Sequence, residues 1–190
     1  MNANQHPGAR LGHIRQLGYI VEDVDGAVAA WSTRLKVGPW LIIRNVPLQA
    51  VYRGLSSVPV IDCAFAYRGE MQIELIQQKN DAASPYRAFI EQGRYGLHHT
   101  AFLSEQIADD VKRLQQAGLT LACDINMPTG GRYVYFDAAV PGEQTYIELL
   151  ELTPALKQMF EQGMPAAASW DGRGAPTVID FAAMAQQGGG

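Results

Sequence analysis

The sequence predicts an α+β domain built from two tandem strand–helix–three-strand modules, and three observations predict it. First, the stretch from Gln16 to Trp31 (QLGYIVEDVDGAVAAW) returns 83 positions later, from His99 to Leu114 (HTAFLSEQIADDVKRL). Tyr19 falls on Phe102, Ile20 on Leu103, Glu22 on Glu105, Val24 on Ile107, Val28 on Val111 and Trp31 on Leu114. Second, each half closes on a related run, IELI from Ile73 and IELL from Ile147, which sets Glu74 against Glu148. Third, the apolar period changes from two to three or four and back within each half, as strand, helix and strands require. Each module opens with a potential metal ligand and closes with a carboxylate. Gln16, Glu74, His99 and Glu148 are therefore expected to meet at the pseudo-twofold axis.

The elements follow in order. Ile14 to Val21 alternates as a strand, and Asp23 and Asp25 offer caps for a helix whose apolar stripe is Val24, Ala27, Val28, Trp31 and Leu35, stopped by Gly38-Pro39. Three strand-like runs come next: Trp40 to Val46, about Val60 to Tyr67, and Met71 to Gln77, the last two joined by the turn YRGE. The second module repeats the plan. It has a strand from His99 to Leu103, a helix carrying Ile107, Val111 and Leu114 that ends at Gly118, and strands at Leu119 to Asp124, Tyr133 to Asp137 and Thr145 to Glu151. These readings divide the chain into a tail (1–13), a two-module domain (14–152) and a C-terminal part (153–190). Within the domain, module one spans about 14–78, a partly helical linker 79–95 and module two 96–152. In the C-terminal part, Thr153-Pro154 starts a helix expected to run through Glu161 and stop at Gly163. Trp170 and Phe181 are isolated anchors in the remaining tail, suited to packing on a surface or a partner subunit, and the terminal QQGGG is expected to be disordered.

Composition narrows the function. With 190 residues, 47% of them hydrophobic, the chain can bury a proper core. A formal net charge of -4 and the lack of a clustered Lys/Arg face argue against nucleic acid or an anionic membrane as partner, which leaves a small molecule. The 2 cysteines, Cys63 and Cys123, form no CxxC pair and read as buried thiols. The start lacks the pattern of a secretory signal and no run approaches the roughly 20 apolar residues of a membrane span, so a cytoplasmic protein is expected.

Strand parity gives the four residues a common direction. Gln16 shares a face with Gly18 and Ile20, His99 lies on the equivalent face, and Glu74 and Glu148 lie opposite the apolar Ile73, Leu75, Ile147 and Leu149. All four then point away from the helices into a cavity expected to be lined by polar residues. His98 and His13 fall at the opposite parity and are excluded as ligands, and His6 lies in the N-terminal tail. Any one of the four alone would ordinarily be a solvated or hydrogen-bonded side chain; their joint placement carries the reading. Two carboxylates, an imidazole and an amide oxygen neutralise a divalent ion and suit Zn, Ni, Co or Mn, with Mg less suited. A single His departs from the 2-His-1-carboxylate triad of oxygen-activating iron. Such an ion acts as a Lewis acid on a carbonyl oxygen, with a ligand carboxylate, Glu148 or Glu74, carrying the proton.

From Ile14 to Leu152 the chain resembles the vicinal oxygen chelate superfamily. The resemblance rests on GLHHTAF at Gly96 to Phe102, preceded by SPYRAFIEQG and followed by a helix and TGGRYVYFD, and it is to the glyoxalase and methylmalonyl-CoA epimerase branch. It implies paired βαβββ modules forming a cupped mixed sheet around one divalent metal, with Gln16, Glu74, His99 and Glu148 as ligands, a set similar to that of glyoxalase I. Epimerases of this family carry a further catalytic glutamate in the middle of module one, where Arg44 to Pro59 (RNVPLQAVYRGLSSVP) has no acid. The function expected is metal-dependent isomerisation, epimerisation or lysis of a small carbonyl substrate, an acyl-CoA or another carbonyl compound, by a homodimer. The alternatives are a non-catalytic binding or resistance-type protein on the same scaffold and an extradiol-type dioxygenase. Tyr52, Tyr67, Arg94 and Tyr135 are within the sequence's reach of a ligand, though each also suits a packing or surface role.

Overall fold

Alternating side chains set the first strand, β1 (Ile14–Ile20), which leads into Asp23, whose carboxylate accepts from the backbone N–H groups of Asp25 and Gly26 and caps α1 (Val24–Ala30). The computed structural model describes residues 11–128, 130–138, 140, 142 and 144–187. After α1 the chain continues as a π turn, Trp31–Leu35, closed by Lys36 at φ 55. Then come β2 (Leu41–Pro47), β3 (Gln49–Tyr52), β4 (Leu55–Ser57), β5 (Val60–Arg68) and β6 (Met71–Gln78). A short helix, α2 (Pro85–Glu91), capped by the Ser84 hydroxyl, fills the linker. Module two is β7 (Gly96–Ser104), α3 (Ile107–Gln116), β8 (Leu121–Asn126), β9 (Arg132–Phe136) and β10 (Tyr146–Glu151). The chain ends with α4 (Pro154–Ala168), β11 (Thr177–Asp180) and α5 (Phe181–Gln187).

Among the described residues one curled mixed sheet holds all eleven strands in the order β11-β2-β5-β6-β1-β7-β10-β9-β8-β3-β4. Within each module the first and last strands run parallel, β1 with β6 and β7 with β10, and β1 meets β7 antiparallel at the centre. The register there proves the repeat. Gln16 pairs with Ala101 and Gly18 with His99, while Leu17 pairs with Thr100, its own counterpart in the echo, so the pseudo-twofold axis passes through that pair. Two helices cover the convex side, where α1 packs Val24 and Val28 on Ala64 and Leu75, and α3 packs Ile107, Val111 and Leu114 on Val134 and Leu149. A third cluster, including Leu48, Ile61, Ile125 and Tyr135, lies on the concave side. Both cysteines are buried and free. No helix among the described residues is long and apolar enough to cross a membrane.

Two features differ from the sequence reading, and a third decides between its alternatives. The β3–β4 hairpin was not expected; it leaves module one and pairs through β3 with β8, the far strand of module two. Arg53, in its turn, holds Asp137 through two hydrogen bonds of 2.6 and 2.5 Å. Secondly, α4 does not stop at Gly163. Leu156, Phe160, Met164 and Ala167 keep one stripe packed on Tyr67, Ala101 and Leu150, and this burial outweighs the roughly 1 kcal/mol cost of a helical glycine. Gly163 is there for space, since a Cβ would lie 2.0 Å from Tyr67 Cε2. Thirdly, the tail anchors find surfaces within the chain. Trp170 lies against Gly38, and β11 adds parallel to β2 and brings Phe181 to the concave side. Of the QQGGG end, Gln186 and Gln187 are the last residues of α5, and residues 188–190 fall outside the described residues, as does His6.

Candidate metal centre

The pseudo-twofold brings the four expected residues together. Gln16 is on β1, Glu74 on β6, His99 on β7 and Glu148 on β10, the four central strands, and all four side chains are buried. His99 Nε2 stands 3.0 Å from Glu148 Oε2, 3.4 Å from Glu74 Oε2 and 3.2 Å from Gln16 Oε1. The candidate ligand atoms of Glu74, His99 and Glu148 lie within 4.8 Å of one another. His13 is exposed.

Neighbouring residues fix the orientation of each group. Gln16 Nε2 donates to Gln72 Oε1 at 2.8 Å, and Gln72 Nε2 donates to the Tyr67 hydroxyl at 2.6 Å, so the Gln16 carbonyl oxygen is left facing His99. Burial raises Tyr67 to about 12, which keeps this hydroxyl neutral. The ring of His99 occupies space that only glycine leaves, because a Cβ on Gly18 would come within 1.9 Å of His99 Cε1. Burial alone would lower the His99 pKa, but the carboxylates of Glu148 and Glu74 outweigh it and lift the imidazole to about 9. Glu74 is itself raised, chiefly by burial.

Simple parity fails at His98. The β1–β7 register shifts between Gly18 and Tyr19, which pair with His99 and Leu97, so His98 is the extra residue of a β-bulge. Its ring therefore does not turn to the helix layer; it packs among Tyr86, Phe89, Tyr135 and Tyr146, with Nδ1 3.0 Å from His99 Nδ1. Burial, followed by the charge of His99, pushes His98 well below the usual imidazole range. A neutral His98 accepts the Nδ1–H of His99, which leaves His99 Nε2 to face the carboxylates. His98 stays outside the candidate ligand group, although strand parity was the wrong reason for placing it there.

The cavity above this floor is about 160 Å³ and its walls are apolar, not polar as the parity argument had suggested. Both modules contribute, with Ile43, Val46 and Leu48 on one side and Ile125, Met127, Tyr133 and Tyr135 on the other. Among the described lining residues the carboxylates are Glu74 and Glu148. Asp62, just past the acid-free segment, is no substitute; it accepts from Arg44 and the Asn45 backbone N–H and lies 3.6 Å from the Lys79 ammonium. Of the four further side chains within the sequence's reach, Tyr135 lines the cavity and Tyr67 stands behind Gln72. Arg94 instead stacks over Phe89 and Tyr52 pairs into the outer hairpin. Sequence reasoning missed Gln72, Tyr86 and Phe181. For Gln72 the alternation with Glu74 was a usable signal; Phe181 had none, because a tail strand carries it there.

The donor set suits an ion. Oxygen and nitrogen ligands at about 2.1 Å from a shared ion stand roughly 3.0 to 3.4 Å apart, depending on coordination number, and the distances to His99 Nε2 match that spacing. Among the described residues Glu148 Oε2 finds no hydrogen-bond partner despite its burial and its closeness to His99, a costly state for a carboxylate oxygen that a cation would relieve.

Residues 15–136 match the Glyoxalase/Bleomycin resistance protein/Dioxygenase superfamily, also called the vicinal oxygen chelate superfamily. The chain belongs to that superfamily. Solved structures agree on the vicinal oxygen chelate fold. Methylmalonyl-CoA epimerase from Mycobacterium tuberculosis is 18% identical with a TM-score of 0.54, over 78% of this chain and 93% of that one. A hypothetical protein from Bacillus halodurans is 16% identical with a TM-score of 0.54, over 74% and 94%. A Streptomyces coelicolor methylmalonyl-CoA epimerase variant in complex with 2-nitronate-propionyl-CoA is 14% identical with a TM-score of 0.54, over 76% and 96%. No curated protein matches the chain in sequence.

Proposed function

We propose that this vicinal oxygen chelate protein is a divalent-metal-dependent enzyme that removes the α-proton of a small carbonyl substrate, with Gln16, Glu74, His99 and Glu148 as ligands. The convergence of Glu74, His99 and Glu148, with both carboxylates lining a cavity, carries this reading. A divalent ion bound there supplies the Lewis acidity that stabilises charge developing on a carbonyl oxygen. The protein's own residues do the rest. Apolar walls exclude water and orient the substrate body, Gln72 holds Gln16 in register, and Glu148 accepts the proton, with Glu74 as the other carboxylate within reach. The wall formed by Ile43, Val46 and Leu48 offers no second base, which favours isomerisation or lysis over two-base epimerisation.

Deuterium exchange tests the reading. Metal-loaded protein in deuterated water exchanges the α-hydrogen of a carbonyl compound such as 2-hydroxyacetophenone, and stops once the metal is stripped. Glu148→Gln lowers the rate at least roughly 10²-fold. Full exchange by a Glu148→Gln protein that still binds metal would transfer the base role to Glu74. A protein that takes up no stoichiometric divalent ion after supplementation is instead a non-catalytic binder on this scaffold, and bound iron with oxygen consumption would mark a dioxygenase.

A further inference from the structure

Charge and shape narrow what the cup accepts. Its volume of about 160 Å³ is close to the roughly 150 Å³ that holds a benzene ring. No Lys, Arg or His is among the described lining residues. Cations on neighbouring strands are already engaged, Arg44 by Asp25 and Asp62, and Arg132 by Asp124. Glu74 and Glu148 together balance a divalent ion, so the floor presents no net positive charge to an incoming anion. A phosphate or carboxylate entering this apolar space gives up its hydration with no cationic side chain among the described lining residues to receive it.

The C-terminal arm completes the enclosure. Leu156 and Met159 of α4 and Phe181 of α5 lie beyond the residues matched to the superfamily, and they face the concave wall. The pairing of Ile179 with Ile43 fixes where Phe181 enters. We propose that the site takes an uncharged carbonyl compound with a compact apolar body, a single ring or a branched chain of similar bulk, and that Phe181 is a specificity-determining wall. CoA thioesters and anionic keto acids are thereby disfavoured. The inference rests on the proposed function for the placement of the carbonyl end, yet it concerns binding rather than turnover.

Calorimetric titration of the full-length, zinc-loaded protein tests it with a pair of similar body and different charge, 2-hydroxyacetophenone and benzoylformate, beside propionyl-CoA. The neutral ketone is expected to bind at least tenfold tighter than either anion. Phe181→Ala weakens it at least tenfold with zinc content unchanged, whereas Phe181→Leu stays within threefold. Equal or tighter binding of benzoylformate or propionyl-CoA, no measurable binding of the neutral ketone, or an unaltered Phe181→Ala protein each overturns the proposal. Should the protein take up no zinc, the metal-dependent function fails while the comparison still stands, because the metal-free cup is no more positive.

Discussion

Gly18 leaves the room that the His99 ring fills, and its loss isolates the contribution of that ring. A methyl group there would lie 1.9 Å from His99 Cε1, so Gly18→Ala is expected to weaken metal binding at least about 100-fold and to cost about 1–3 kcal/mol in overpacking. Metal titration beside thermal unfolding checks both, and wild-type affinity would show that the ring's placement is immaterial. His98 yields a graded outcome. His99→Ala abolishes binding, whereas His98→Ala removes the acceptor for His99 Nδ1–H and weakens it about 10- to 100-fold. Equal loss in the two variants would make His98 a ligand. A pH dependence follows from His99, which in the metal-free protein keeps its proton up to about pH 9. Ion entry displaces that proton, so affinity falls about tenfold per unit as pH drops below about 9 and levels above it. An affinity flat from pH 6 to 9 would contradict this. Gln16, Glu74, His99 and Glu148 were legible because the echo and the two-residue alternation both named them. The role of His98 was not, since a bulge is set by pairing with β1 and not by anything within GLHH itself.

At the scale of elements, legibility followed the range of the contacts. The strands and helices of the repeat could be read because their periodicity is local. The β3–β4 hairpin could not, since its main partner, β8, lies in the other module, although the Arg53-Gly54 pair, with φ 51 and 83, suits a two-residue turn. Extending α4 past Gly163 likewise needed its tertiary partner. That partner, Tyr67, also accepts from Gln72, so the helix steadies the candidate metal centre through this chain of hydrogen bonds. Gly163→Ala is expected to destabilise the fold by about 1–3 kcal/mol, roughly 2–4 °C in Tm per kcal/mol, and to reduce metal affinity as well. A variant with lowered Tm and unchanged affinity would mean that Tyr67 does not steady Gln16.

For the whole molecule, the anchors that suggested a homodimer are used in cis, Trp170 on Gly38 and Phe181 in the cup. Homodimerisation is still proposed, on different grounds. Both sheet ends expose apolar side chains, Leu55 at 72% on β4 and Val178 at 55% on β11, and unpaired end strands invite a second copy. Light scattering is expected to give twice the mass of the chain. A concentration-independent monomer would exclude it. The same two end strands also order events on the ribosome. The hairpin of module one docks on β8, which is made roughly 70 residues later, a wait on the order of 4–14 s at about 5–20 residues per second. β2 waits longer, because β11 is made roughly 130 residues after it, at the same about 5–20 residues per second. Neither half can finish on its own, so splitting the gene between the modules should yield two insoluble products that recover only when made together.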